Sequence, residues 1–371
     1  MAAKSSKTRE KPVSFSSDTC GFAYSPSSLV VPLPLDNDPQ HRPHEVFPMN
    51  QPYPLRFHPV MRRYLWGGRR LESSLNKSLG SGNDWAESWE VCDLDNFQSV
   101  VIGGPCAGST LHQLVMEQGE QLLGKHYPQA QFPLLLKFLD ASHTLSVQVH
   151  PNNDYAGKLS PPAVGKSEAW VVLESAPGSQ IIAGLKPGVD RKALTTAIEE
   201  KRCQEYLHSF HPQPGDCIFL PAGTVHALGE GILVIEIQQP SDVTYRLFDW
   251  NRLSSDGRPR PLHISQGLDV ADFTNGPVIP QRPRATEREQ VKRLVECDFF
   301  VMDRWTFDSP LSAGGDDRCH VLTVLEGSVE VPGDVAALPL EKGQTILLPA
   351  ALPPTFLKPN GPSVLLDFYL P

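Results

Sequence analysis

The sequence predicts an all-β protein made of two barrel-like units with a few short helices. Three observations carry that expectation. The 371 residues include 36 prolines and 28 glycines, a density of turn formers that cuts a chain into short strands. Apolar segments alternate with period two, as in Trp85-Ala-Glu-Ser-Trp89-Glu-Val, which is the pattern of strands and not of helices. One pattern also occurs twice. Gln213-Pro-Gly215-Asp-Cys-Ile-Phe-Leu-Pro221-Ala-Gly223 matches Glu341-Lys-Gly343-Gln-Thr-Ile-Leu-Leu-Pro349-Ala-Ala351 in spacing, and Val321–Gly327 echoes Trp170–Glu174. The unit of structure is therefore repeated within the chain.

Composition narrows the function. At 40% hydrophobic and 20% charged residues the chain can bury one large core or two modest ones. No apolar run approaches the roughly 20 residues needed to cross a bilayer, and no signal-peptide core opens the sequence. A net charge of −9 disfavours nucleic acid and anionic lipid as partners, so an anionic substrate needs a local basic pocket. Seven scattered cysteines without a CxxC pair fit buried free thiols in a reducing cytosol better than a disulfide framework. The expectation is a cytoplasmic protein.

In chain order, residues 1–50 read as a disordered tail: Lys4, Lys7, Arg9 and Lys11 give a basic start, after which Ser and Pro dominate. Residues 51–251 form a first unit. Arg63–Gly68 reads as an aromatic turn, with Trp66 either packed in the core or lining a mouth. Trp85–Val91 is a strand and Leu111–Lys125 a helix. The apolar strand Phe132–Leu139 is interrupted by Lys137, which either snorkels to solvent or belongs to a site. Asp190–Phe210 reads as the other helix. Residues 252–296, rich in Pro, Arg and Asp, bridge to a second unit at 297–371.

The first unit gathers polar side chains on strands. Leu145, Val147 and Val149 alternate with Ser146, Gln148 and His150, so Gln148 and His150 share one face. After an Asn-, Gly- and Pro-rich loop, Glu168, Trp170 and Val172 share a face of the next strand, with Lys166 two residues before the carboxylate. The turn Pro221-Ala-Gly223 then presents His226, the glycine supplying a backbone conformation that other residues resist. Glu236 stands among the aliphatics of Gly231–Gln238, and Arg246 follows ten residues later. Singly, Gln148 reads as a polar strand residue and His150 as a satisfied half-buried histidine. Together with Glu168 and His226 they make an N/O ligand set suited to zinc, with manganese, iron or cobalt also accepted. One anionic ligand leaves the ion formally about +1, a stronger Lewis acid than a neutralised structural site. The second copy has Pro354 where the first has His226, so it cannot supply that ligand.

Gly215-x5-Pro221-x-Gly223-x2-His226 is similar to the second half of the cupin signature. Gln148-x-His150-Pro-Asn, Lys166-x-Glu168 and Pro221-Ala-Gly-x-x-His226, followed by Glu236 and Arg246, resemble the type I mannose-6-phosphate isomerases, from about Pro52 to the C-terminus. The resemblance implies two cupin-type barrels (jelly rolls), the second a degenerate one without metal ligands. It also implies a metal-dependent aldose–ketose isomerase that interconverts mannose 6-phosphate and fructose 6-phosphate. Its zinc ligands fall on Gln148, His150, Glu168 and His226, one ion per chain, its arginine on Arg246 and its charged pocket residues on Lys166 and Glu236. The short span from Glu168 to His226 is similar to the short bacterial-type members, which lack a helical insertion there. Longer members also carry a histidine where this chain has Gly165, so a ring-opening role for that histidine must move elsewhere.

Such an isomerisation needs a polarised carbonyl, a base that moves a proton between C1 and C2, and stabilisation of the enediol(ate) between them. Arg246 suits the last of these. Glu236 and Lys166 compete for the acid/base role, Glu236 with a pKa raised by desolvation and Lys166 with one lowered by the cation. Glu236 paired with Arg246 purely as a brace is the alternative. Lys137, Lys166 and Arg246 are the candidates for the phosphate. The partner is a small sugar phosphate, and the chain acts as a monomer or homodimer. Two other classes compete: a redox cupin, against which Gln148 in a histidine's place argues, and a non-catalytic sugar binder, which has little need of Lys166, Glu236 and Arg246 together.

Overall fold

Proline and glycine do break this chain into short strands; the longest helix among the described residues, Leu111–Leu123, has 13 residues. The computed structural model describes residues 51–253 and 257–371, and the tail expected over residues 1–50 lies outside them. Strands before residue 250 form a six-stranded sheet in the order Cys217–Leu220, Glu168–Ser175, Ile232–Gln238, Leu135–Ala141, Trp85–Val91, Val60–Gly68. A five-stranded sheet faces it, in the order Leu207–Phe210, Ile181–Leu185, His226–Leu228, Val147–Val149, Tyr245–Phe248. Between the two, Trp66, Leu139, Trp170 and Val234 pack against Ile181, Ala183 and Leu228.

The later strands repeat the plan. A second six-stranded sheet runs Arg284–Ala285, Val291–Glu296, Val301–Phe307, Ser363–Tyr369, His320–Glu326, Thr345–Leu348, and a four-stranded group runs Leu311–Ala313, Thr355–Pro359, Ser328–Glu330, Leu340–Glu341. Trp305, Phe307, Leu322 and Leu365 meet Val329, Leu340 and Leu357 between them. Leu220 pairs with Glu168 as Leu348 pairs with His320. Trp170 is thus level with Leu322, one residue on from the Val321 that the sequence echo picked out.

The largest core lies between the halves. Because side chains alternate across a strand, the six-stranded sheets each turn a second apolar face outward, and these faces meet. Leu136, Phe138, Val171 and Ile235 share one cluster with Met302, Val321, Leu366 and Phe368. Both faces of Leu135–Ala141 and of Ile232–Gln238 are therefore buried along their whole length. Leu55 and Leu347 exchange backbone bonds of 2.8 and 2.9 Å, and Arg304 donates to the Gly215 carbonyl at 2.5 Å.

The Leu111–Leu123 helix packs into the same core through Leu111, Leu114, Val115 and Leu122. Thr110 starts it with a capping box: its hydroxyl accepts from the Gln113 N–H at 3.1 Å while Gln113 accepts from the Thr110 N–H at 2.8 Å. The Ala350 and Ala351 amides satisfy carbonyls of its last turn. The helix expected over Asp190–Phe210 is shorter, Arg191–Glu199. Lys201 adopts a positive φ of 58°, a 3-10 turn follows, and Leu207–Phe210 becomes the edge strand paired with Ile181–Leu185. Pairing to an open sheet edge outweighs helix propensity there. The aromatic turn expected at Arg63–Gly68 is the irregular end of the Val60–Gly68 strand.

Candidate metal centre

His226 and Gln148 are register partners on adjacent strands of the five-stranded sheet, and Gln148 is in turn the partner of Arg246. Glu168 opens its strand in the facing sheet. Its carboxylate lies 3.3 Å from His226 Nε2 and 3.6 Å from His150 Nε2. The Gln148 amide is 3.2 Å from His226 Nε2. One ligand atom from each of His150, Glu168 and His226 falls within 4.8 Å of the others, the single such group of three among the described residues. Each imidazole is oriented from behind: His150 Nδ1 bonds the Val243 carbonyl at 2.9 Å and His226 Nδ1 the Thr224 carbonyl at 2.8 Å. That leaves both Nε2 atoms facing Glu168, as a hydrogen bond at the other ring nitrogen orients histidines in metal sites.

The residues fit a cation on chemical grounds. His150 Nε2 and Glu168 Oε1 are buried without a hydrogen bond, although buried polar atoms are ordinarily paired. Burial holds His226 down to about 4 and His150 well below its ordinary range, so both imidazoles are neutral donors at pH 7. Burial, reinforced by nearby Glu236, lifts Glu168 to about 7. A cation between these groups would restore Glu168 as a carboxylate.

A ladder of alternating charge continues from Glu168. Lys166 Nζ stands 2.9 Å from Glu168 Oε2 and 3.5 Å from Glu236 Oε1. Lys137 Nζ stands 3.3 Å from Glu236 Oε1 and 3.7 Å from Glu87 Oε2. The Trp170 indole donates to Glu236 Oε2 at 3.1 Å and packs edge-on against His226. Burial pushes Glu236 upward, but Lys137 and Lys166 outweigh it and hold the carboxyl below its usual range. The desolvation-raised Glu236 expected from its aliphatic neighbours is thus corrected, because two cations reach it from neighbouring strands. Its ion-pair partners are these lysines, not Arg246. Lys137 does not snorkel: it is 5% exposed, and although burial disfavours its charge, Glu236 and Glu87 raise its pKa and keep it cationic.

Arg246 sits beside this group. Its Nε donates to Ser146 Oγ at 3.2 Å and its Nη1 to the Pro261 carbonyl at 3.1 Å. Burial and the nearby Arg260 and Arg252 lower its pKa. Arg252 and Arg260 share Asp249, and they border a cavity of about 310 Å³ with Trp66 and His143. Trp66 is a core residue at 6% exposure that also borders this cavity. Sequence reasoning missed Glu87, Arg252 and Arg260. Only Glu87 carried a signal, a carboxylate inside a strongly alternating strand.

No described helix is long and apolar enough to cross a membrane, and none of the six described cysteines is in a disulfide. Residues 55–165 match the family model for the catalytic domain of type I phosphomannose isomerase. The chain is 36% identical over 304 residues to mannose-6-phosphate isomerase ManA of Bacillus subtilis, covering 81% of this chain and 94% of that one. A mannose-6-phosphate isomerase of Streptococcus mutans is 33% identical over 302 residues, covering 80% and 92%. The crystal structure of mannose 6-phosphate isomerase from Bacillus subtilis superposes with a TM-score of 0.78 at 30% identity, covering 85% of this chain and 99% of that one. Fold, metal group and relatives agree: the chain belongs to the type I phosphomannose isomerases, the metal-dependent enzymes that interconvert mannose 6-phosphate and fructose 6-phosphate.

Proposed function

We propose that residues 51–251 carry this reaction, that Gln148, His150, Glu168 and His226 hold one Zn²⁺, and that residues 297–371 form a degenerate cupin barrel without those ligands, joined through the 252–296 bridge. The observation that supports this most is the pair of imidazoles whose Nδ1 atoms are anchored on carbonyls while both Nε2 atoms face one buried carboxylate. A divalent ion held there supplies a Lewis acid for the sugar's oxygens. Manganese, iron or cobalt would suit the same donors.

The chain's own groups supply the rest. Glu236, held ionised by Lys137 and Lys166, takes the proton at one of C1 and C2 and returns it at the other. Lys166, between Glu168 and Glu236, donates to the sugar oxygen that gains charge. Arg246 stabilises the enediolate. For the phosphate, Arg246 with Arg252 and Arg260 is a better set than Lys137, whose charge is already engaged by two buried carboxylates. Reduced thiols and a phosphorylated substrate favour the cytoplasm, with the chain a monomer or homodimer.

The test is anaerobic conversion of mannose 6-phosphate to fructose 6-phosphate by the purified protein, with and without a chelator. Chelator-sensitive, oxygen-independent turnover is expected. In the same assay His226→Ala should lose both metal and activity, and full metal content in that variant overturns the ligand assignment. Arg246→Ala should lower kcat by orders of magnitude with metal still near stoichiometric; retained activity removes Arg246 from the mechanism.

A further inference from the structure

A cavity of about 570 Å³ is lined by the second six-stranded sheet, and nothing in the isomerisation uses it. The strand register shows which positions line it. Glu236 pairs with Trp170 on one side and Lys137 on the other, and Asp367 pairs in the same way with Leu322 and Asp303. With His320 level with Glu168, the places taken in the first sheet by Glu168, Glu236 and Lys137 are taken in the second by His320, Asp367 and Asp303. All three are buried, at 6%, 1% and 4% exposure. A barrel interior serving only as a prop would be filled with aliphatics at such positions, because buried charge is costly.

The polar groups are held in a fixed array. His320 Nδ1 bonds Asp367 at 2.9 Å and His320 Nε2 bonds Asp316 at 3.1 Å. Both ring nitrogens are therefore engaged, which argues against a metal. Tyr369 donates its hydroxyl proton to Asp303 at 2.8 Å and accepts from Arg293 at 2.8 Å. Asp303 also accepts from Arg293 Nε at 2.7 Å, and a carboxylate has about four lone-pair sites, so each keeps capacity for a further donor. Trp305 lines the same cavity at 4% exposure, and its buried Nε1–H has no hydrogen-bond partner. An unpaired buried donor of this kind points to a ligand acceptor. At the mouth, the Arg288 guanidinium lies 5.9 Å from the Trp305 ring centroid, and Arg284 adds a second, exposed cation that is paired with Glu296 at 3.2 Å.

An indole donor beside carboxylate acceptors, in a polar cavity of ligand size, suits a molecule dense in hydroxyl groups. We propose that the C-terminal sheet pair holds a second, non-catalytic pocket for a sugar polyol, its hydroxyls meeting Asp303, Asp367 and Trp305 Nε1–H. Arg284 and Arg288 stand where the phosphate of a phosphorylated form would lie.

Calorimetric titration of the metal-loaded enzyme with mannitol and with mannitol 1-phosphate tests this, since neither has a carbonyl to be turned over. In wild type, at least one of the two probes should bind at a site that survives in His226→Ala. Trp305→Phe and Asp303→Asn should each weaken that site at least tenfold, with isomerase turnover unchanged as the control for folding. Survival for mannitol 1-phosphate alone assigns the arginines to phosphate recognition; equal binding of both probes assigns recognition to the hydroxyls. Absence of any site in His226→Ala that titrates in wild type, or wild-type affinity in both pocket variants, overturns the proposal.

Discussion

Lys137 stands in the middle of a fully buried strand, its ammonium between Glu236 and Glu87. Lys137→Met would leave two buried carboxylates short of a cation, a change that costs about 3–5 kcal/mol when one partner of a buried pair is removed. Chemical denaturation should show a loss of that order, and the metal content should stay near one ion per chain because Lys137 touches no proposed ligand. A loss under 1 kcal/mol would mean that the carboxylates find another cation. The grouping of Gln148, His150 and His226 was legible because its signals are local: a period-two strand places Gln148 beside His150, and a Pro-Ala-Gly turn aims His226. Glu87 was not, because only sheet register brings Trp85–Val91 next to Leu135–Ala141. Gly165 stands directly before Lys166 in the loop that leads to Glu168. A Cβ there would lie 2.6 Å from the Asn152 carbonyl carbon and the Asn153 nitrogen, so no side chain fits without moving the backbone that leads to Lys166 and Glu168. Gly165→His should therefore lower Tm and metal content together, and a stable, fully loaded variant would show that the loop can yield.

The elements were read with uneven success, for physical reasons. Alternation announced the strands, but short runs such as Leu207–Phe210 carry too few residues to be told from a helix's last turn by period alone. Where chemistry was local the helix was legible, as at Thr110 and Gln113. Thr110→Ala removes a side-chain acceptor from the first turn of Leu111–Leu123 and should cost about 1 kcal/mol. Since this helix packs on the face of the sheet opposite Trp170 and Val234, turnover should hold. A thermal melt and a steady-state assay decide, and a fall in kcat would mean that the helix positions the catalytic strands.

At the scale of the whole molecule, pH acts through the second half as well as through the metal centre. Burial opposes the charge on His320, but Asp367 and Asp316 raise its pKa from 6.5 to about 10. A group raised in the folded state keeps its proton there while the unfolded chain sheds it. Its stabilisation is therefore full below about pH 6.5 and declines until about pH 10. Tm measured from pH 6.5 to 10 should fall, and His320→Gln should flatten that part of the slope; an unchanged slope would assign it to other groups. The sequence repeat made the doubled plan legible. The shared core between the halves was not, because apolar residues on both faces of a strand say only that something covers them.

That shared core also has a consequence for how the protein is made. The first six-stranded sheet is complete once Ile232–Gln238 has been synthesised, yet its outer apolar face is covered by residues as late as Leu366 and Phe368. Ser363–Tyr369 is an inner strand of the covering sheet, so that sheet cannot close before those residues have been synthesised. Until then the nascent enzyme presents a sticky surface to the cell and depends on chaperones or speed to avoid aggregation.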